Sequence, residues 1–334
     1  MRAALYEPRE TGEPMDRDAL PTSADPRKAD NPGDDGVPFL RPAPATDAGP
    51  PGGPADLVAR ALAILAEDKT LDRTATAPHR PEVAPRTAHS TDPAFLAPAR
   101  DLPLQRRILS DGTECPLPIR YFDVQCLVAT FLAGPDRAAE LLQGSGLRPV
   151  LQEDGQAVVQ LYCIEYRKTD IGPYNEVGLT VAARAPGDPV PAGFVVDLPV
   201  TTALANRAGR EIWGYNKFLA AIAVEKRGKT FSTVLRDAQN ERIGAFEGDR
   251  GPSVPAPPQD ILTFTIHEGR LTKTVIRVLT PFQASRGDGF TFRVGPSTHP
   301  MTGRLRTAGL DGARPVLVHY ADPFQSLLFP GRTL

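Results

Sequence analysis

The sequence predicts a mainly β (α+β) fold: a closed or cone-like antiparallel β-barrel with a few short helices, preceded by a disordered N-terminal tail. Three observations predict it. Segments rich in β-branched and aromatic residues follow one another at short spacing, helical patterns are few, and prolines are concentrated near the start of the chain. Many short strands with few helices are typical of a closed or strongly curved antiparallel sheet.

The predicted tail covers residues 1–100 and holds 16 of the 36 prolines in the chain. It also contains an acid-containing stretch at 25–35 and a Pro/Gly/Ala-rich stretch at 42–54. Such a segment buries too little apolar surface to offset its conformational entropy, so we expect it to be largely disordered. The remaining residues, 101–334, are enough for one domain with a substantial core.

Within the tail, residues 56–68 are an exception. Leu57, Leu62 and Leu65 recur near helical spacing, and Asp56 stands at the N-cap position. This segment is either a marginal isolated helix or a docking helix for the body of the protein or for a partner. The second alternative would make the chain an interaction protein whose tail recruits a partner.

Composition argues against several classes of function. The net charge of −2 favours neither nucleic acid nor an anionic membrane as a partner. Cys115, Cys126 and Cys163 form no CxxC pair, which is typical of reduced, buried cysteines in a cytoplasmic protein. We expect neither a transmembrane helix nor a secretory signal, because no apolar run is long enough for the first and no apolar region follows Arg2.

Strand patterns fill most of the predicted domain. Ten segments have the composition of strands: 121–132, 157–166, 177–183, 218–225, 230–235, 242–247, 261–267, 273–279, 290–294 and 316–320. Gly228 lies in a short turn between two of them, and Gly269 and the stretch 286–289 mark further turns. The proline-rich stretch 252–258 is interpreted as a loop inside the domain.

Three short helices are expected. The first is capped by Asp136 and runs to Leu142, the second covers 202–208 with Gly209 at its end, and the third covers 301–308.

The segment 209–218 carries the most informative residue, Lys217. Its neighbours include Trp213, Tyr215 and Phe218. Burying an ammonium ion is costly, so a lysine in apolar surroundings must be paired or lose its proton. A neutral amine is a nucleophile, so the pattern indicates either a reactive lysine or a strand-edge lysine whose amine reaches water.

The order Gly209-Arg210-Glu211, a short spacer, Lys217 and a β-strand resembles the active-site segment of the acetoacetate decarboxylase superfamily. The resemblance places Lys217 on the lysine that forms a Schiff base with the substrate. Tyr174-Asn175-Glu176 resembles the Tyr-x-Glu of the family, and it implies that Glu176 assists proton transfer or positions the substrate.

The resemblance to the family covers about residues 101–330, and further positions support it. Arg120, before Tyr121, resembles the arginine that binds the substrate carboxylate. Tyr174, Trp213 and Phe218 are the other predicted substrate contacts, although Trp213 also fits a core position.

Three positions depart from the family pattern. Asn216 replaces the usual proline before the lysine, and Phe218 stands where decarboxylases carry a second lysine. A second acidic residue of the decarboxylases has no clear match, since Leu161 and Tyr162 fall near its place. Without the second lysine, desolvation alone would have to free the amine, and apolar Phe218 suits a less charged or bulkier substrate.

The resemblance implies a Schiff-base-forming lyase that acts on a β-keto acid or another small ketone, with decarboxylation through a Lys217 iminium. Two alternatives stay open: an aldolase or dehydratase that uses the same iminium, and a non-catalytic barrel that binds a small ligand. No cofactor or metal is expected, because His267 and His319 have no cluster of ligands around them. The expected partners are the small substrate and, from the resemblance, further copies of the chain.

Overall fold

The computed structural model describes residues 104–334. The predicted tail, with its possible helix at 56–68, lies outside the described residues. The three helices of the described part are α1 (Pro135–Leu141), α2 (Ala203–Trp213) and α3 (Pro300–Thr307). The strands are β1 (Gln105–Ile108), β2 (Glu114–Leu117), β3 (Ile119–Ala133), β4 (Arg148–Pro149), β5 (Ala157–Thr169), β6 (Tyr174–Arg184), β7 (Ala192–Asp197), β8 (Ala221–Arg227), β9 (Thr230–Arg236), β10 (Arg242–Asp249), β11 (Ser253–Ala256), β12 (Ile261–His267), β13 (Arg270–Val278), β14 (Phe282–Arg286), β15 (Phe290–Val294), β16 (Leu317–Leu328) and β17 (Arg332–Thr333).

Seven of these strands form a closed barrel. Their order around the ring is β3, β5, β6, β7, β12, β13 and β16, and β16 pairs again with β3. The pairing of β13 with β16 closes the ring. The neighbours in the ring are antiparallel except for β7 and β12, which run parallel. The predicted fold class, a mainly β closed barrel with a few short helices, is therefore confirmed.

The barrel strands are buried on both faces, as β3 illustrates. Cys126 and Val128 belong to one apolar cluster, whereas Leu127 and Ala129 belong to another. Successive side chains of a strand point to opposite faces, so the two clusters lie on opposite sides of the barrel wall. The cluster of Leu127 and Ala129 also includes Phe246 from a second, four-stranded sheet of β8, β9, β10 and β15. This double burial explains why β3 has an almost continuous apolar sequence.

Helix α2 corrects one prediction. Gly209 does not end the helix, which continues to Trp213 and ends at Gly214 in the left-handed region, with φ 66°. The Gly214 amide donates to the Arg210 carbonyl at 3.1 Å. At the other end, the Thr202 side chain accepts a hydrogen bond from the Ala205 amide at 3.4 Å.

Other boundaries also differ from the predictions. The stretch 252–258 is not simply a loop, because it contains β11, which pairs with β14. The strand predicted from Phe218 begins only at Ala221. The three cysteines are free and buried, as expected. None of the helices found between residues 104 and 334 has the length and apolar character that a membrane crossing requires.

Candidate active site

Lys217 and Glu176 form a buried ion pair. Lys217 Nζ donates a short hydrogen bond to Glu176 Oε2. Only 6% of the lysine side chain and 7% of the glutamate side chain are exposed. A buried ammonium ion is tolerated where a carboxylate pairs with it. The sequence left open whether the lysine is paired or neutral, and the structure provides the pairing partner.

The backbone explains how residues 41 positions apart meet. Glu176 lies on β6 and forms an isolated bridge with Val200. The segment around Val200 runs beside the lysine segment: the Leu198 amide donates to the Asn216 carbonyl, and the Val200 amide donates to the Phe218 carbonyl, both at 3.0 Å. Residues 198–200 therefore join the lysine segment to the strand that carries the glutamate.

Side-chain hydrogen bonds fix the position of Asn216, the residue directly before the lysine. Its amide nitrogen donates to the Val196 carbonyl at 2.8 Å and to Asp197 Oδ1 at 3.1 Å. Asp197 is fully buried and also accepts a hydrogen bond from Arg304 Nε at 2.6 Å. Burial raises the pKa of Asp197, against the lowering effect of the Arg304 guanidinium. These contacts fix the backbone from which the Lys217 side chain extends.

Tyrosines surround the pair. The Tyr166 hydroxyl donates to Glu176 Oε1 at 3.1 Å. The Tyr166 ring stacks on Tyr174 at a centroid distance of 4.2 Å and lies 4.9 Å from the ring of Tyr121. Burial raises the pKa of all three phenols well above the ordinary value, so they stay protonated and can donate hydrogen bonds.

The pair borders a cavity of about 90 Å³ inside the barrel. Each of the seven barrel strands contributes at least one lining residue, and helix α2 contributes Ala205, Ala208, Gly209 and Trp213. One water molecule needs about 15 Å³ on a comparable measure, so the space is several times that of a water molecule. The cavity can therefore hold a small organic molecule against the lysine.

The structure brings together four of the six predicted site residues. Lys217, Glu176, Tyr174 and Trp213 all line the cavity. The Trp213 ring is also a core residue, and its indole nitrogen donates to the Phe329 carbonyl at 2.8 Å.

The other two predicted residues lie elsewhere. Arg120 is not among the cavity-lining residues, and its Nε is 2.9 Å from Asp170 Oδ2. Phe218 also lies outside the cavity lining and packs against His299, with ring centroids 4.2 Å apart. Their predicted contact with substrate is not supported by this placement.

Several lining residues were missed by sequence reasoning. Tyr162, Ile164 and Tyr166 alternate along β5 and share one face of the strand. This period-two pattern was a usable signal, because two tyrosines on one buried face need partners for their hydroxyl groups. Gly209 is part of the segment that carries the resemblance, but the sequence does not show that the side chain of Lys217, eight positions later, packs against it.

The geometry allows chemistry at the lysine amine. The amine faces a small, largely apolar space, a carboxylate is in contact with it, and a phenol binds the other oxygen of that carboxylate. Such a set can form a carbon–nitrogen bond to a carbonyl compound and move protons around it. Within residues 104–334, no group of three or more His, Cys, Asp or Glu side chains could hold a metal ion.

Comparisons with known proteins agree with this architecture. The enduracididine biosynthesis enzyme MppR, in a structure complexed with pyruvate, superposes with a TM-score of 0.51 at 15% identity, over 67% of this chain and 93% of that one. A structure of acetoacetate decarboxylase gives a TM-score of 0.50 at 14% identity, over 65% and 89%. The acetoacetate decarboxylase of Legionella pneumophila gives 0.49 at 18% identity, over 65% and 87%. At these identities the first two likenesses show the fold alone.

Comparison with curated proteins found no relative. The family model described as acetoacetate decarboxylase (ADC) matches residues 102–278, which is more than half of the chain. That match includes the strand of Glu176, helix α2 and Lys217, so it spans both members of the buried pair. The chain belongs to the acetoacetate decarboxylase family.

Proposed function

We propose that this protein is a Schiff-base-forming carbon–carbon lyase for small carbonyl compounds, with Lys217 as the reacting amine and Glu176 as the group that transfers protons. One observation carries the proposal: the amine is buried, pairs with a carboxylate and borders a cavity inside the barrel. Membership of the family supports it.

The reaction begins at the ion pair. Proton transfer from Lys217 to Glu176 gives a neutral amine, which attacks the carbonyl carbon of the substrate. The carbinolamine then loses water, using the proton held by Glu176, and an iminium ion forms next to the regenerated carboxylate. The Tyr166 hydroxyl, 3.1 Å from Glu176 Oε1, stabilises that carboxylate.

The iminium nitrogen then accepts the electron pair of a breaking carbon–carbon bond. With a β-keto acid the leaving group is carbon dioxide and an enamine remains. Protonation and hydrolysis of the enamine release the ketone and the free lysine. Aldol cleavage and dehydration use the same intermediate, and the iminium itself is the electron sink in each case.

The known structures support a carbonyl substrate. The related enzyme MppR has been solved with pyruvate and with the condensation product of pyruvate and imidazole 4-carboxaldehyde. By this analogy a small keto acid or ketone is the substrate class to test first. The alternative of a binding barrel predicts the same occupancy of the cavity without a covalent bond.

Borohydride trapping separates these alternatives. The full chain is incubated with acetylacetone, acetoacetate or pyruvate, reduced, digested and mapped by mass spectrometry. We expect an irreversible adduct on Lys217 with at least one of these compounds. Absence of an adduct with all three would overturn the proposal and favour a binding barrel.

A second lysine provides a matched control. Lys273 is also largely buried and pairs with Asp188 at 2.7 Å, but it does not line the cavity. We expect Lys217→Met to abolish trapping and Lys273→Met to leave it intact. Equal trapping in the wild type and in Lys217→Met would show that another amine reacts.

The domain limits and the assembly are proposals as well. We propose that residues 101–334 carry the activity in the cytoplasm, as a homo-oligomer. Deletion of residues 1–100 should leave trapping at Lys217 unchanged, and light scattering of the full chain should give a mass above 35.9 kDa.

A further inference from the structure

The cavity is lined by only two charged side chains among the described residues. Among the described residues that line it, Lys217 and Glu176 are the charged ones, and they bind each other. The remaining lining groups are apolar side chains, a buried thiol and neutral hydroxyl groups. The net charge around the bound molecule is therefore zero before any substrate enters.

The arginine predicted to bind the substrate carboxylate, Arg120, is already paired with Asp170. Arg120 Nε is 2.9 Å and its second terminal nitrogen 3.0 Å from the two oxygens of Asp170. The Arg120 backbone amide also donates to Asp170 at 2.8 Å, and Asp170 raises the pKa of the Arg120 guanidinium through its hydrogen bonds. To hold a substrate carboxylate, the guanidinium would have to leave a partner that is itself only 9% exposed on its side chain.

The hydroxyl groups of the lining do not replace an arginine. Tyr166 donates to Glu176, Tyr162 donates to Gln160 Oε1 at 3.1 Å, and Tyr215 shares a hydrogen bond of 3.1 Å with Thr263. Burial raises the pKa of Tyr162 and Tyr215, so both stay neutral. Neutral hydroxyl groups can bind a carbonyl or hydroxyl oxygen without adding any charge.

The charges of the cavity favour one class of substrate over another. An iminium on Lys217 carries one positive charge, and the Glu176 carboxylate balances it. A keto acid would bring a second anion into the same largely apolar cavity, where an unpaired carboxylate is costly and repels Glu176. A neutral ketone or aldehyde brings no charge, so the balance of the pair is kept.

We propose that the site uses neutral carbonyl compounds and catalyses aldol-type formation and cleavage of carbon–carbon bonds, in preference to decarboxylation of keto acids. This inference rests on the proposed Schiff-base chemistry of Lys217. Phe218, in the place where decarboxylases carry a second lysine, packs away from the cavity on His299 and brings no cation to it.

The reaction balances without a cofactor. In the cleavage direction a β-hydroxy ketone forms the iminium with Lys217 and releases water. Glu176 removes the proton of the hydroxyl group, the carbon–carbon bond breaks, and its electron pair passes to the iminium nitrogen. An aldehyde or ketone leaves, the enamine takes the proton from Glu176, and water hydrolyses the iminium to a second ketone.

Matched substrates test the charge preference. The full chain is trapped with borohydride over a range of concentrations of methyl acetoacetate and of acetoacetate, which differ chiefly in the charge of the carboxyl group. Each half-saturating concentration is normalised to imine formation with Nα-acetyllysine, which removes differences in intrinsic reactivity. We expect the ester to saturate Lys217 at a concentration at least tenfold lower than the acid does.

Turnover gives an independent measurement. Diacetone alcohol is a small neutral β-hydroxy ketone whose cleavage releases two molecules of acetone, and acetoacetate releases carbon dioxide. We expect acetone release that depends on Lys217 and exceeds the release of carbon dioxide from acetoacetate by at least tenfold.

The outcomes separate the two proposals. Tighter or equal trapping of acetoacetate, or faster release of carbon dioxide, would overturn the preference for neutral substrates and leave the Schiff-base function standing. No trapping of either compound, while acetylacetone or pyruvate still modifies Lys217, would overturn only the preference for neutral substrates. No trapping of any of these compounds at Lys217 would overturn both proposals.

Discussion

The side chain of Lys217 lies against the backbone of Gly209, so that a Cβ atom at residue 209 would be 2.3 Å from Lys217 Cε. Gly209 is inside helix α2, where glycine costs about 1 kcal/mol relative to alanine. A helix tolerates this cost where a close approach requires it. The glycine makes room for the lysine on its way to Glu176.

Gly209→Ala should therefore separate folding from reactivity. The clash involves the flexible end of the lysine side chain, so we expect the helix to persist and the amine to move away from Glu176. Borohydride trapping should slow at least tenfold, while the thermal unfolding temperature changes by only a few degrees.

Gly303→Ala is the matched control. Gly303 is also a helical glycine, in α3, and apart from its chain neighbours and its own helix backbone nothing lies within 4 Å of a Cβ built there. This variant should keep wild-type trapping. Equal trapping rates in both variants would show that the contact with Gly209 does not position the amine.

The sequence led to Lys217 and Glu176, but not to the glycine that makes room for the lysine side chain. The resemblance of the segments around Lys217 and Glu176 to the family singled out both residues, and the many strand patterns with few helices predicted the barrel. Gly209 was taken for a helix end, because a glycine in a sequence does not reveal which side chain packs on it. Strands β7 and β14 were not predicted, and β14 is polar on one face. Arg120 was placed at the site by resemblance, whereas its position is decided by Asp170, 50 residues away.

Breaking the ion pair should cost stability unless both partners change. Lys217→Met leaves the Glu176 carboxylate buried without its cation, which costs about 3–5 kcal/mol. Adding Glu176→Gln removes that charge, so the double variant should regain most of the lost free energy of unfolding. Chemical denaturation of the wild type, both single variants and the double variant measures this coupling. Additive losses would mean that the two side chains do not interact.

Two tyrosines test the proton-transfer role of Glu176. Tyr166→Phe removes the 3.1 Å hydrogen bond to Glu176 Oε1, and a hydrogen bond to a charged group contributes about 1.5–3 kcal/mol. We expect the trapping rate to fall about tenfold or more. Tyr174→Phe removes only a 3.4 Å contact with Tyr121 and should have a smaller effect. A larger loss from Tyr174→Phe would argue against control through Glu176.

Asn216 should position the lysine by donating hydrogen bonds. Asn216→Ala loses the bonds to the Val196 carbonyl and Asp197, at a cost of about 1 kcal/mol of stability, and should slow trapping. Asn216→Asp places an acceptor against two acceptors, so it should be slower still. Melting temperatures and trapping rates of both variants check this order, and faster trapping in the aspartate variant than in the alanine variant would refute the donor role.

The burial of His319 leads to a prediction of how the stability of the fold depends on pH. Burial lowers the pKa of His319 to about 4, whereas an unfolded histidine has a pKa near 6.5. Above pH 6.5 the residue is neutral in both states and has no effect. As the pH falls from 6.5 to 4, the unfolded chain binds a proton that the folded chain resists, so stability falls by an amount on the order of 3 kcal/mol. His319→Gln cannot titrate, so its melting temperature should fall less than that of the wild type between pH 7 and pH 4.5. Parallel losses in the two proteins would assign the acid sensitivity to other groups.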